Sequence, residues 1–144
     1  MYYDPDFARS FMRRTLAIAQ GYDGPNDATL LINCLLGLLV IPHEALHDKI
    51  PKAPLASLSE WGISPSSIKT FGKCDQGHEH EPDLRQLIRR MRNAVSHFKV
   101  QPKHRDQEVV GFSFSDRSGF RAEVSLVELK AFVVKLASHL EKQA

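Results

Sequence analysis

Cysteine is scarce in this chain: two of 144 residues, Cys34 in an apolar run and Cys74 beside Asp75, with no spacing that makes a framework. That excludes a disulfide-stapled scaffold and suits a reducing compartment. Long hydrophobic runs are missing as well. LLINCLLGLLVI, residues 30–41, has twelve residues and stops at Pro42, short of the roughly 20 that cross a bilayer, so a buried helix is expected there. No basic n-region, apolar h-region and cleavage site opens the chain, which starts MYYDPDFARSFMRR. The expectation is a cytoplasmic protein without membrane attachment. Repeats and low-complexity segments are also absent. What is present is 42% hydrophobic and 25% charged residues. That composition suffices for one packed core, so residues 1–144 are expected to form one domain.

The net charge of +2 hides an asymmetry. Residues 85–105 hold seven bases (Arg85, Arg89, Arg90, Arg92, Lys99, Lys103 and Arg105) and no Asp or Glu, so the rest of the chain carries −5. A cationic stripe on a mildly acidic body can hold a polyanion at one place without adhering to it everywhere. The plain alternative is a solvated helix face.

Along the chain, Asp4-Pro5 predicts a capped helix ending near Gly21, with Phe7, Phe11 and Ile18 on its apolar side. Asn26 or Asp27 caps a second, almost wholly apolar helix, expected to end or kink at Pro42. Residues 48–82 are rich in Pro, Gly, Ser and Lys. Within them PLASLSEWG and PSSIKTFG predict single helical turns over the core, with Trp61 as part of that cover. A third helix is predicted from about Pro82 to Lys99, closed by Pro102. GFSFSDRSGFRAEVS alternates on both sides of Asp116-Arg117-Ser118-Gly119 and predicts a β-hairpin, the one β element expected. Ser125 and Glu128 form a capping box for a last helix whose apolar side is Leu126, Leu129, Phe132, Val133, Leu136 and Leu140. The expected fold class is mainly all-α: a bundle of four to five helices with a small β-hairpin before the last.

On the third helix, a turn of about 100° per residue gathers Leu84, Leu87, Ile88, Met91, Val95 and Phe98 into the predicted core stripe. Asn93 and His97, four apart, stack on the opposite side, and Arg85, Arg89, Arg92 and Ser96 form the flank between. Arg92 and His97 stand about 140° apart. They are poorly placed to bond each other and well placed to line one broad groove, which a second copy of the helix would complete. Arg offers phosphate a fixed, permanently charged fork, and His, with an unperturbed pKa of about 6.5, can take or give a proton near neutrality. In RNA the attacking group can be the neighbouring 2′-hydroxyl, so proton transfer and charge stabilisation suffice without a metal. Asn93 could orient the imidazole or the phosphate.

The stretch RNAVSH, Arg92 to His97, resembles the R-x4-6-H motif of HEPN proteins in its common form with Asn after the Arg. The resemblance implies an all-helical bundle that dimerises through its motif helices, creating a composite, metal-independent ribonuclease site without cofactors. Such proteins often serve in toxin–antitoxin, phage-defence or stress-response systems. It also implies that Arg92 and His97 are the catalytic pair, with Asn93 in support, and that cleavage leaves a cyclic phosphate and a 5′-hydroxyl. RNA, a second copy and an antitoxin or other regulator are the implied partners. Some HEPN toxins carry a Tyr two positions after the His, which a partner enzyme modifies; this chain has Lys99 there. The basic stretch makes Arg89, Arg90, Lys99 and Lys103 candidates for the RNA backbone.

Three alternatives stand beside this reading. His43-Glu44-Ala45-Leu46-His47 is a literal H-E-x-x-H, two zinc ligands and a general base, although Pro42 and Pro51 bracket it and no extended metzincin pattern follows. Cys74, His78 and His80 could reach one ion, but such spacing is not diagnostic, and with Gly72 and Gly77 nearby and acidic residues interleaved a solvated loop leading into the third helix is the preferred reading. A HEPN-like module that binds RNA or a partner without cutting keeps the fold and drops the chemistry.

Overall fold

The computed structural model describes residues 5–21, 27–46, 49–72 and 82–143, with side chains throughout except at 5–8, 27 and 40–46. Helix α1 (Pro5–Gly21) begins on proline and ends on glycine as the sequence predicts, and buries Met12, Thr15 and Ala19. Its expected cap, Asp4, and the expected cap Asn26 lie outside the described residues. Helix α2 (Asp27–Leu46) packs against α1 and buries Leu31, Cys34, Leu35, Leu38 and Leu39. It does not stop at Pro42. The lost donor removes one hydrogen bond, and the backbone stays helical for another four residues.

The segment after α2 makes the two expected turns, a 3₁₀ helix over Leu55–Trp61 and another over Pro65–Ser67, and then strand β1 (Ile68–Thr70), which the sequence did not predict. Helix α3 (Leu84–Ser96) follows, capped by Asp83, whose Oδ1 accepts from the Gln86 amide at 2.9 Å. Strands β2 (Val100–Arg105), β3 (Glu108–Ser115) and β4 (Arg121–Ser125) lead into helix α4 (Leu126–Gln143). The capping box is present. Glu128 N–H donates to Ser125 Oγ at 3.2 Å, and Ser125 N–H donates to Glu128 Oε1 at 3.1 Å.

The molecule is mainly helical, but its β part is more than a hairpin. Among the described residues it is a four-stranded antiparallel sheet in the order β1-β4-β3-β2. The predicted hairpin is its centre, with Phe112 opposite Val124 and Phe114 opposite Ala122. Its turn is tied by Asp116, which accepts from the Ser118 amide at 2.8 Å, while Gly119 takes φ +95°. Phe112, Phe114, Ala122 and Val124 turn one sheet face inward, where β3 meets α2, α3 and α4. Strand β2 lies at an edge. The sequence did not predict it: Pro102 was expected only to close the third helix, yet proline is tolerated on an edge strand, where its missing donor has no partner to lose, and every residue of β2 but Val100 is exposed. Among the described residues, no helix is long and apolar enough to cross a membrane.

Candidate functional site

Helix α3 is held at its start by backbone bonds from Leu84 N–H to the Ala53 carbonyl at 2.8 Å and from Leu55 N–H to the Pro82 carbonyl at 3.4 Å. Arg85 adds a bond from its Nε to the Ile50 carbonyl. Its buried face is Leu84, Leu87, Ile88, Met91 and Ala94, with Val95 partly buried against the same core. Five of the six predicted stripe residues therefore pack inward. Phe98 does not: it is 90% exposed.

The reason is how the helix ends. The predicted helix runs to Lys99, but α3 stops at Ser96 with His97 as its cap. Phe98 N–H donates to the Val95 carbonyl at 3.1 Å and Lys99 N–H to the Ala94 carbonyl at 2.7 Å. That is a Schellman termination, and it needs a left-handed residue just after the cap. The position usually held by glycine is held by Phe98, at φ +56°. The ring is thereby swung out of the helical arc and off the core stripe.

The motif residues stay together at this exposed end. His97 is exposed, and its backbone N–H donates to the Asn93 carbonyl at 3.1 Å, one turn back. Arg92 and Asn93 are half-buried. Among the described residues, no hydrogen bond or ion pair engages the side chains of Arg92, Asn93 or His97. Burial, and after it the like charge of Arg89, lowers the Arg92 pKa from its ordinary value. An arginine keeps its charge regardless. A partly desolvated guanidinium beside a second cation is a place where an anion is favoured.

The four expected backbone contacts separate. Arg89 and Lys99 are exposed, like His97. Arg90 faces the other way: its Nη1 lies 3.5 Å from Asp116 Oδ2, and its guanidinium carbon lies 5.4 Å from the centre of the Phe71 ring. Lys103 is on β2, where its Nζ lies 3.1 Å from Glu123 Oε2. It helps line an open concavity of about 350 Å³ with Lys69, His104, Arg105, Glu123 and Glu128, none of them a motif residue. The sequence places all four cations in one stripe because it cannot register that α3 has two flanks and that β2 leaves the helix axis.

Among the described residues, no group of three or more His, Cys, Asp or Glu side chains is placed to hold a metal. The side chains of the HEALH pattern and all of residues 73–81, with Cys74, His78 and His80, lie outside the described residues. Trp61 is half-buried and meets the His139 ring edge-on at 5.3 Å, in keeping with its expected place over the core.

Comparison with curated proteins and with solved structures gave no match. Comparison with family models matched residues 1–144 to the family described as HEPN pEK499 p136. With that match running the length of the chain and RNAVSH at the exposed end of a basic helix, this chain belongs to the HEPN family described as pEK499 p136.

Proposed function

We propose that this HEPN protein is an endoribonuclease that cuts RNA by attack of the 2′-hydroxyl on the adjacent phosphate. The observation that carries the reading is the pairing of half-buried Arg92 with exposed His97 at one end of α3, with no carboxylate bonded to either among the described residues. The O2′–P bond forms as the P–O5′ bond breaks, leaving a 2′,3′-cyclic phosphate and a 5′-hydroxyl. Arg92 stabilises charge gathering on the phosphoryl oxygens, His97 moves a proton, and Asn93 orients the imidazole or the phosphate. The nucleophile is internal to the substrate, so the step needs no metal to generate it.

A second copy supplies what one copy lacks. In an in-line displacement the base at O2′ and the acid at O5′ stand on opposite sides of phosphorus, and each chain brings one motif histidine. Two α3 helices facing each other present two His97 side chains across one phosphate. Light scattering then reads a homodimer. Cleavage of this kind arrests growth when unrestrained, which is the action of a toxin or a defence nuclease held in check by a partner. Expression of wild type, and not of His97→Ala, would then stop growth.

The direct test incubates purified cellular RNA, with and without EDTA, with wild type and with His97→Ala prepared identically, and reads cleavage on a gel and binding by mobility shift. Discrete cleavage by wild type alone is expected. Binding by both without cleavage by either identifies a non-catalytic RNA-binding module, and cleavage that EDTA abolishes moves the question to zinc content.

A further inference from the structure

Phe98 is the most exposed large apolar side chain among the described residues, at 90%, and it also stands in left-handed backbone at φ +56°. Each is unfavourable by itself. A phenylalanine in water forgoes its burial, and a non-glycine residue with positive φ strains its backbone. A glycine at this position would complete the same Schellman turn without either cost. Strain that persists where the fold does not need it is a mark of function. The surroundings say of what kind. Phe98 follows His97 directly and precedes exposed Lys99, and residues 85–105 contain no Asp or Glu. An occupant of this place must be anionic and must also offer an apolar face. A second copy alone would bring the same cations opposite these and needs a polyanion between them.

We infer that Phe98 is a stacking platform for a nucleobase of single-stranded RNA, beside the phosphate that Arg92 and His97 engage. The choice of ligand rests on the ribonuclease reading. Stacking on an aromatic ring is tolerant of sequence and requires an unpaired base, so the platform selects single strands over duplexes without reading a particular sequence. Phe98 is a binding residue in this account. It holds the nucleotide so that the adjacent phosphate stays within reach of His97.

The test uses an end-labelled mixed-sequence oligoribonucleotide with 2′-O-methyl sugars, which lacks the attacking hydroxyl, alone and annealed to its complement. Wild type, Phe98→Gly and Phe98→Trp are compared for affinity, melting temperature and mass by light scattering. Phe98→Gly is expected to weaken single-strand binding about 5- to 100-fold, to leave duplex binding unchanged, and to melt at the wild-type temperature or above. Phe98→Trp keeps single-strand affinity, and its fluorescence is quenched by the probe. Equal affinity for wild type and Phe98→Gly overturns the inference, as does an equal loss on both probes, which would be an electrostatic or structural effect. A change of mass in Phe98→Gly overturns it in favour of a contact between copies, and failure of wild type to bind the single strand overturns it outright. If wild type binds the blocked probe through Phe98 yet never cuts the unblocked one, the cleavage reading fails and the platform stands.

Discussion

Arg90 and Asp116 form an ion pair between α3 and the β3–β4 turn, Nη1 to Oδ2 at 3.5 Å, on side chains only 13% and 5% exposed. It fixes the back of the motif helix to the sheet. Asp116 already accepts from Ser118 and Phe120 amides within its own turn, so it is a joint as well as a counter-charge. Removing Arg90 leaves a buried carboxylate short of its partner. Arg90→Ala is expected to cost about 2–3 kcal/mol, and Asp116→Ala more, read from denaturant midpoints. The double variant should lose less than the two single losses combined.

The same geometry separates the basic residues by function. If RNA lies along the exposed flank, Arg89→Ala and Lys99→Ala should each lower the slope of log affinity against log salt by about 1. Arg90→Ala, once corrected for any unfolded fraction, should leave that slope where it is. A uniform drop in all three variants would contradict the division of α3 into a ligand side and a fold side.

Glu128 gives the fold an acid dependence. Burial by itself would raise its pKa, but bonds from the Ser67 hydroxyl at 2.6 Å and the Ser125 and Ser64 amides at 3.1 and 2.8 Å favour the carboxylate and hold the pKa below its ordinary value. A lowered native pKa contributes stability that is full above the unfolded carboxylate pKa and disappears as pH falls through the native one. Glu128→Gln should therefore melt below wild type at pH 7, by the equivalent of about 1–2 kcal/mol. Melting curves for the two should converge in acid.

At Gly62, after the 3₁₀ helix of Leu55–Trp61, φ is +94° and a Cβ would lie 2.6 Å from the Ala131 Cβ and 2.8 Å from the Phe132 amide nitrogen. Gly62→Ala is expected to destabilise by about 2–4 kcal/mol, from strain and crowding together. A thermal melt checks it. The variant touches no motif residue, so the activity per folded molecule should be that of wild type.

The helices were legible where periodicity and end signals agree: Pro5 and Gly21, the stripe of Leu84, Leu87, Ile88 and Met91 in α3, and Ser125 with Glu128. The hairpin was legible through its alternation and through Asp116 and Gly119. Strand β2 escaped because none of its boundaries carries the usual sign. It opens after Phe98 and closes on Asp106 and Gln107, all at positive φ and none of them glycine. Two successive positive φ values between the paired residues Arg105 and Glu108 make a two-residue hairpin that Asn-Gly would have announced. Strand β1 is three residues long, paired with a strand far away in sequence, and leaves almost no local pattern. In the candidate site, the residues and their order were readable, but the direction of Arg90 and the outward turn of Phe98 depend on tertiary partners and on a helix end that propensity does not encode.

The sheet order has a consequence for the order of assembly. Helix α3 lies in the chain between β1 and β2, which occupy opposite edges of one sheet, so the two central strands that join those edges are both translated after it. The Ile68–Ala122 pairing closes a long loop with α3 inside it, the kind of non-local contact that forms late. Arg92 and His97 therefore emerge from the ribosome well before the frame that sets their helix. A nascent chain holds the motif in sequence without yet presenting it in space.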